Sequence, residues 1–263
     1  MEVADALYFG GMRSEVDLRV ALRDGVSYLA SGYFTPPFKV ANITEDRRGR
    51  CLHLVLMSSS PGILDGDKQV FLVSVEEGAR LWLHTQAYQR IFQCKMGAEQ
   101  SMEVRLGRGA GFCWLPHPCV PHAGSVFTGS NKVYLVAGSR LIWGEVLTCG
   151  RKLNGEVFAL SGYRMRTEIY LDGGLILLEN VFLRPSVVRV ESVGHLEGFT
   201  HQASLLMVGV EPDMEKIGAC LAEKEGILYG VTEGPGGSGV VRILGNKAEQ
   251  LFDCLNEIAC MLS

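Results

Sequence analysis

The sequence predicts a mostly β protein of many short strands with two α-helices, one of them C-terminal. Three observations predict it. Apolar runs of strand length recur along the chain, polar and apolar residues alternate inside them, and Gly, Asp, Asn or Pro turns separate them.

The runs extend from Val26 to about Met207. The clearest are Leu52–Met57, Val70–Val75, Leu81–Thr85, Met102–Leu106, Val133–Ala137, Leu141–Thr148, Thr167–Leu171, Leu175–Glu179 and Ser204–Val210. Met102, Val104 and Leu106 alternate with Glu103 and Arg105, the period of a half-buried strand. Asp65-Gly66-Asp67, Glu77-Gly78-Ala79, Gly107-Arg108-Gly109, Gly129-Ser130-Asn131 and Asp172-Gly173-Gly174 read as the turns between them. A spacing of roughly ten residues fits a sandwich, a barrel or a β-helix-like stack. Glu-Glu-Gly-Ala from Glu76 and Gly-Arg-Gly-Ala from Gly107 each precede an apolar strand, the mark of a degenerate structural repeat.

The two helices fall in the last quarter of the chain. Lys247 to Leu262 places Leu251, Phe252, Leu255, Ile258 and Ala259 at helical spacing, with Asn246 as N-cap and Glu249 completing a capping box. Asp213 to Glu223 carries Met214, Ile217 and Leu221 on one face, with Gly218 weakening it. The glycine-rich stretch Gly234–Gly239 separates two strand-like runs and reads as a hairpin loop. It lacks the Lys-Ser/Thr of a P-loop.

Composition excludes several classes. Hydrophobic residues at 47% and charged residues at 21% rule out a disordered chain. A net charge of −4 leaves no nucleic-acid footprint. The densest basic group, Arg47, Arg48 and Arg50, sits beside Glu45, Asp46 and Gly49 and reads as a solvated turn. Met1 to Tyr8 carries Glu2 and Asp5 and does not resemble a signal segment. No run approaches the roughly 18 apolar residues of a membrane span. The expectation is a cytoplasmic protein without a membrane or nucleic-acid partner. None of the eight cysteines forms a C-x-x-C pair, so they read as small buried hydrophobes. Cys254 and Cys260 in particular read as packing residues of the last helix.

Candidate chemistry is sparse. Cys113, His117, Cys119 and His122 have ligand types suited to zinc or nickel, but Pro116, Pro118 and Pro121 favour a proline-ordered surface loop. His53 lies in an apolar strand, where a satisfied core histidine is the commoner role. Ser58-Ser59-Ser60 lacks a nucleophile elbow and reads as a hydroxyl-rich strand end. The carboxylates Asp65, Asp67, Glu145, Glu156, Asp172 and Glu179 could serve acid–base chemistry or relay a cation, with Asp65 and Asp172 best explained by turns.

Four ordered segments resemble the UreD/UreH family. They are Phe34-Thr35-Pro36-Pro37-Phe38-Lys39, the turn Pro61-Gly62-Ile63-Leu64-Asp65-Gly66-Asp67, Glu145 with Gly150-Arg151 and then Glu156 and Phe158, and Gly198-Phe199-Thr200-His201. The turn departs from the family pattern, since Ile63 and Asp65 stand where many members have glycine. The resemblance implies one domain over 1–263, with a β-helix-like body at about 26–210 and a helix-containing part at about 211–263. It implies a scaffold that is not an enzyme. That scaffold docks on apo-urease and assembles with a UreF-type accessory protein and, through it, a UreG-type GTPase. It also implies transient nickel and no tightly bound cofactor, the metal passing through the interior. Nickel that must be released again needs weak oxygen or nitrogen ligands rather than a Cys/His cage. That favours Asp67, Glu145 and Glu156 as conduit residues. The competing reading is a β-helix or jelly-roll enzyme with a carboxylate site. The four motifs favour the scaffold, and no recognisable catalytic constellation favours the enzyme.

Overall fold

Each alternating run forms one strand, and glycine-bearing corners pass the chain from one sheet to another. The computed structural model describes residues 11–46 and 50–262. Met1 to Tyr8 and the basic residues Arg47 and Arg48 lie outside them. In chain order the strands begin with β1 (Arg13–Arg23), β2 (Val26–Phe34), β3 (Phe38–Asn42), β4 (Cys51–Ser58), β5 (Lys68–Val75) and β6 (Arg80–Thr85). The middle of the chain gives β7 (Gln89–Ile91), β8 (Ala98–Leu106), β9 (Gly111–Trp114), β10 (Cys119–Pro121), β11 (Val126–Leu135) and β12 (Arg140–Thr148). The last strands are β13 (Gly162–Leu171), β14 (Gly174–Leu183), β15 (His201–Val208), β16 (Leu228–Gly234) and β17 (Ser238–Gly245). The helices are α1 (Met214–Ala222) and α2 (Ala248–Met261).

Two sheets stack face to face. The first has seven strands in the order β14-β13-β11-β8-β5-β1-β2. The second has ten, running β16-β17-β15-β12-β9-β6-β4-β3 with β10 and β7 attached beside β12. The strands β5, β8, β11 and β13 are parallel in the first sheet, as are β4, β6, β9 and β12 in the second. Successive turns of chain therefore climb as a β-helix-like stack, each giving a strand to each sheet.

The corner chemistry explains the climb. Ala79, Ala110 and Ser139 each donate their amide to the carbonyl three residues back, at 3.0, 3.1 and 3.0 Å. The residue before each is a glycine at φ 71°, 66° and 84°, a conformation that costs other residues dearly. The third corner, Val136-Ala137-Gly138-Ser139, repeats the two phrases visible in the sequence.

The central core is dry and aliphatic. Leu18, Val73, Val104, Val133 and Ile169 face inward from neighbouring strands of the first sheet, all at most 2% exposed. A further layer covers the outer face of the second sheet, where Leu251, Leu255 and Ile258 of α2 pack with Ile142, Leu205 and Ile243.

Several expectations need correction. The strands begin at Arg13, ahead of Val26. Gly129-Ser130-Asn131 is not a turn, since it lies inside β11. β16 and β17 join the second sheet, so the residues beyond 210 are built into the β-body. Lys247, not Asn246, stands at the N-cap of α2 and makes no side-chain cap, because Asn246 Oδ1 accepts a hydrogen bond from Thr200 Oγ1 at 2.9 Å. Cys254 is buried, while Cys260 is exposed. α1 is as expected, with the Asp213 side chain accepting from Lys216 N at 2.9 Å. The glycine-rich stretch links the β16–β17 hairpin.

Candidate functional site

Two residues along each strand from the dry row, about 6.6 Å away, the inward-facing row changes character. It reads Phe71, Met102, Asn131, Thr167 and Glu179 across β5, β8, β11, β13 and β14. One step further the row reads Gln69, Gln100, Gly129, Met165 and Val181. The second sheet answers with Glu145, Ser204 and Arg242, aligned across β12, β15 and β17. Small and polar side chains cannot fill the space between sheets as valine and isoleucine do. A cavity of about 540 Å³ results, lined from both sheets. A Cβ at Gly129 would have to push aside the flexible end of the Met165 side chain.

Hydrogen bonds tie the two polar rows together. Asn131 Nδ2 donates to Glu145 Oε1 at 3.0 Å and lies 2.9 Å from Thr167 Oγ1. Trp143 Nε1 donates to the same Glu145 oxygen at 2.9 Å. Ser204 Oγ donates to Glu179 Oε2 at 3.0 Å, and Arg242 Nη1 lies 2.9 Å from Glu179 Oε1. Elsewhere on the wall, Gln89 Nε2 donates to Gln100 Oε1 at 2.7 Å. Asn131 Oδ1 and His195 Nδ1 are buried acceptors or donors without a hydrogen-bond partner, and both residues line the cavity.

Glu145 is the electrostatic centre of the cavity. Burial, and then the charge of Glu179, push its carboxyl up from 4.5 to about 7, against hydrogen bonds from Trp143 and Thr167 that favour the anion. It is enclosed by protein on all sides yet keeps some accessible surface, because that surface is the cavity wall. A carboxylate poised near neutrality can exchange a proton for a cation. Cys119 and Tyr163 line the same cavity from opposite sheets, and burial raises both the thiol and the phenol.

The sequence-predicted residues separate clearly. Of the three conduit candidates, Glu145 lines the cavity and Asp67 and Glu156 do not. Asp67 accepts from Met12 N at 2.9 Å through Oδ1 and from Leu64 N at 2.8 Å through Oδ2. Glu156 is ion-paired with Arg151, accepting from its Nε at 2.9 Å, and also accepts from Ala123 N at 3.1 Å. Arg151 holds the Glu156 carboxyl below its ordinary value. The segment from Cys113 to His122 is mostly buried instead of forming a surface loop. Cys113 packs on the helix side of the second sheet and Cys119 between the sheets. Among the described residues no three His, Cys, Asp or Glu side chains are grouped to hold a metal ion.

The family model of the UreD urease accessory protein matches residues 12–263. The chain belongs to the UreD family. A urease accessory protein UreD from Flavobacterium johnsoniae is 40% identical over 252 residues, covering 94% of this chain and 91% of its own length. One from Acetivibrio thermocellus is 36% identical over 256 residues, covering 96% and 98%. One from Haemophilus influenzae is 30% identical over 268 residues, covering 95% and 99%. Membership in the UreD family gives the chain a role in urease maturation, and these relatives are accessory proteins by name. No described helix is long and apolar enough to cross a membrane.

The UreD motifs are placed by the fold. Phe34 to Lys39 forms the corner between β2 in one sheet and β3 in the other, and Phe38 packs edge-on against Phe71 with ring centroids 5.2 Å apart. In the following turn Ile63 is a 1% exposed core residue bridged to Ile91. Asp65 accepts from Met96 N and Gly97 N at 2.8 and 3.0 Å. Thr200 ties the start of β15 to Asn246 and to Lys152, whose Nζ donates at 3.1 Å. Only the Glu145 motif reaches the cavity with its carboxylate.

Proposed function

We propose that this UreD-family chain is a urease-maturation scaffold and that nickel crosses it through the cavity between the two sheets. In this reading it docks on apo-urease together with a UreF-type accessory protein, which links it to a UreG-type GTPase. The observation that carries the proposal is Glu145, a buried carboxylate on the wall of the inter-sheet cavity, its carboxyl raised to about 7. Nickel is borderline in softness and is taken up readily by oxygen and nitrogen donors. Glu145, Glu179, the amide oxygen of Asn131 and His195 are such donors, lining the cavity from both sides. Few of them converge, so the ion is held weakly and can leave. Asp67 and Glu156 then act at a distance, as turn and loop fasteners that keep the stack in shape.

The test is co-expression of urease with its accessory proteins and either the wild-type chain or Glu145→Gln. The variant keeps shape and removes charge. Assembly should be unchanged while urease nickel content and activity fall. Failure of assembly makes Glu145 structural. Full nickel loading with Glu145→Gln, Glu179→Gln and the double variant contradicts passage through the cavity.

A further inference from the structure

β14 is the edge strand of the first sheet, while β17 lies one strand in from the edge of the second. An ion pair between Glu179 of β14 and Arg242 of β17 spans the seam between the two sheets. The Glu179 side chain is 7% exposed and that of Arg242 is 61% exposed, so the pair runs from the cavity to the surface. The two ends are held unequally. Glu179 Oε2 is fixed by Ser204 Oγ at 3.0 Å. Oε1 meets Arg242 at 2.9 Å as an ion pair without hydrogen-bond geometry. The carboxylate is therefore anchored, and the guanidinium is a long exposed arm resting against it. Behind it the cavity presents Asn131 Oδ1, in a residue 2% exposed, and His195 Nδ1, both without hydrogen-bond partners. The protein gives these buried polar atoms no partner of its own, so they are available to a guest in the cavity.

We infer that Glu179 and Arg242 form a charge-operated gate, in which Arg242 stands in for a divalent cation and is exchanged for it at the Glu179 carboxylate. The inference rests on the nickel-path reading and adds how that path opens. A monovalent guanidinium near the mouth repels stray cations. A divalent ion, presented at the seam, competes for the same oxygen and gains the Asn131 and His195 donors that Arg242 leaves unused. Arg242 can swing into solvent at little cost because most of its side chain is already there. Arg242 is thus a positioning residue for the path, separate from the ligands themselves.

Cys119 reports on the gate, because it lines the cavity and is buried. The full chain, with the less buried Cys51, Cys220 and Cys260 changed to serine, is treated with cationic aminoethyl or anionic sulfonatoethyl methanethiosulfonate. Modification of Cys119 is followed by peptide mass spectrometry at one mildly alkaline pH. Arg242→Met should speed the cationic reagent about tenfold over the parent, with a much smaller change for the anionic one. Arg242→Lys should stay near the parent rate. Thermal melts check that each variant is folded. Equal rates in the parent and in folded Arg242→Met overturn the gate, and so does an equal gain for both reagents, which reads as a loosened fold. Added Ni²⁺ should protect Cys119 in Arg242→Met. A charge-selective gain without nickel protection supports the gate and contradicts nickel as the cargo, so the two readings fail separately.

Discussion

Two neighbouring rows of one sheet, a single strand repeat apart, do opposite work. Leu18, Val73, Val104, Val133 and Ile169 interlock into a dry core at most 2% exposed. Asn131 and Thr167, on two of the same strands and facing the same way, continue to Glu179 on β14, and Asn131 and Glu179 line a cavity instead. The register shifts lie beside the dry row, at Arg19/Val20 and Ile169/Tyr170, and the strands pair without a shift at Asn131. The cavity therefore does not come from a distortion of the stack. It comes from substituting side chains that are too small or too polar to close the gap, while the adjacent row supplies the stability. The polar row is affordable because nearly every member is bonded to a partner across the sheets, Asn131 to Glu145 and Ser204 to Glu179.

The comparison can be broken most strongly in the dry row. Ile169→Ala removes a fully buried side chain from a row that cannot collapse, and should cost about 2–5 kcal/mol. Urea denaturation should show the loss. Urease nickel loading per folded chain should stay normal, since Ile169 does not line the cavity. Reduced loading per folded chain would mean that the two rows are not separable.

The wet row should respond in the other direction and only with pH. The Glu145 carboxyl is raised in the folded state, so its contribution to stability is complete at acid pH and is lost as pH rises from 4.5 through about 7. Glu145→Gln does not titrate and escapes that loss. The variant should therefore gain on the wild type between pH 5 and 8, by on the order of 1–3 kcal/mol. Denaturation curves across that range check the sign. A constant offset between the two proteins would show that the charge of Glu145 is not strained in the fold.

Much of the stack was legible in the sequence because strand alternation and corner glycines are local signals. Every apolar run from Leu52 to Val210 lies wholly or mostly within a strand, and the Gly-Ala phrases became stacked corners. The cavity was harder to see, for a physical reason. Gly129-Ser130-Asn131 has turn chemistry, and only its neighbours reveal otherwise. Phe127, Gly129, Asn131, Val133 and Leu135 share one phase, and all are buried. Asn131 thus had to point inward if the strand began at Val126. Thr167, in phase with Tyr163, Met165 and Ile169, carried the same signal. Ser204 was hidden in an apolar run in the same manner. Glu145 stood out because a charge in an apolar strand demands a partner. Asp67 and Glu156 lie in irregular segments, where no period tells which way a side chain points. Their partners, Met12 and Leu64 for one and Arg151 and Ala123 for the other, follow only from the folded path. Arg242 gave no signal, because its exposed position is ordinary for arginine.

The central claim is that nickel exchanges with the Glu145 proton inside the cavity. Its direct measurement is the amount of nickel transferred into apo-urease by the preassembled complex, read as metal content at a series of pH values. With the wild-type chain, transfer should rise through a step near pH 7 as Glu145 ionises. With Glu145→Gln the step should be absent and transfer low at every pH. Coincident profiles for the two proteins would contradict the account.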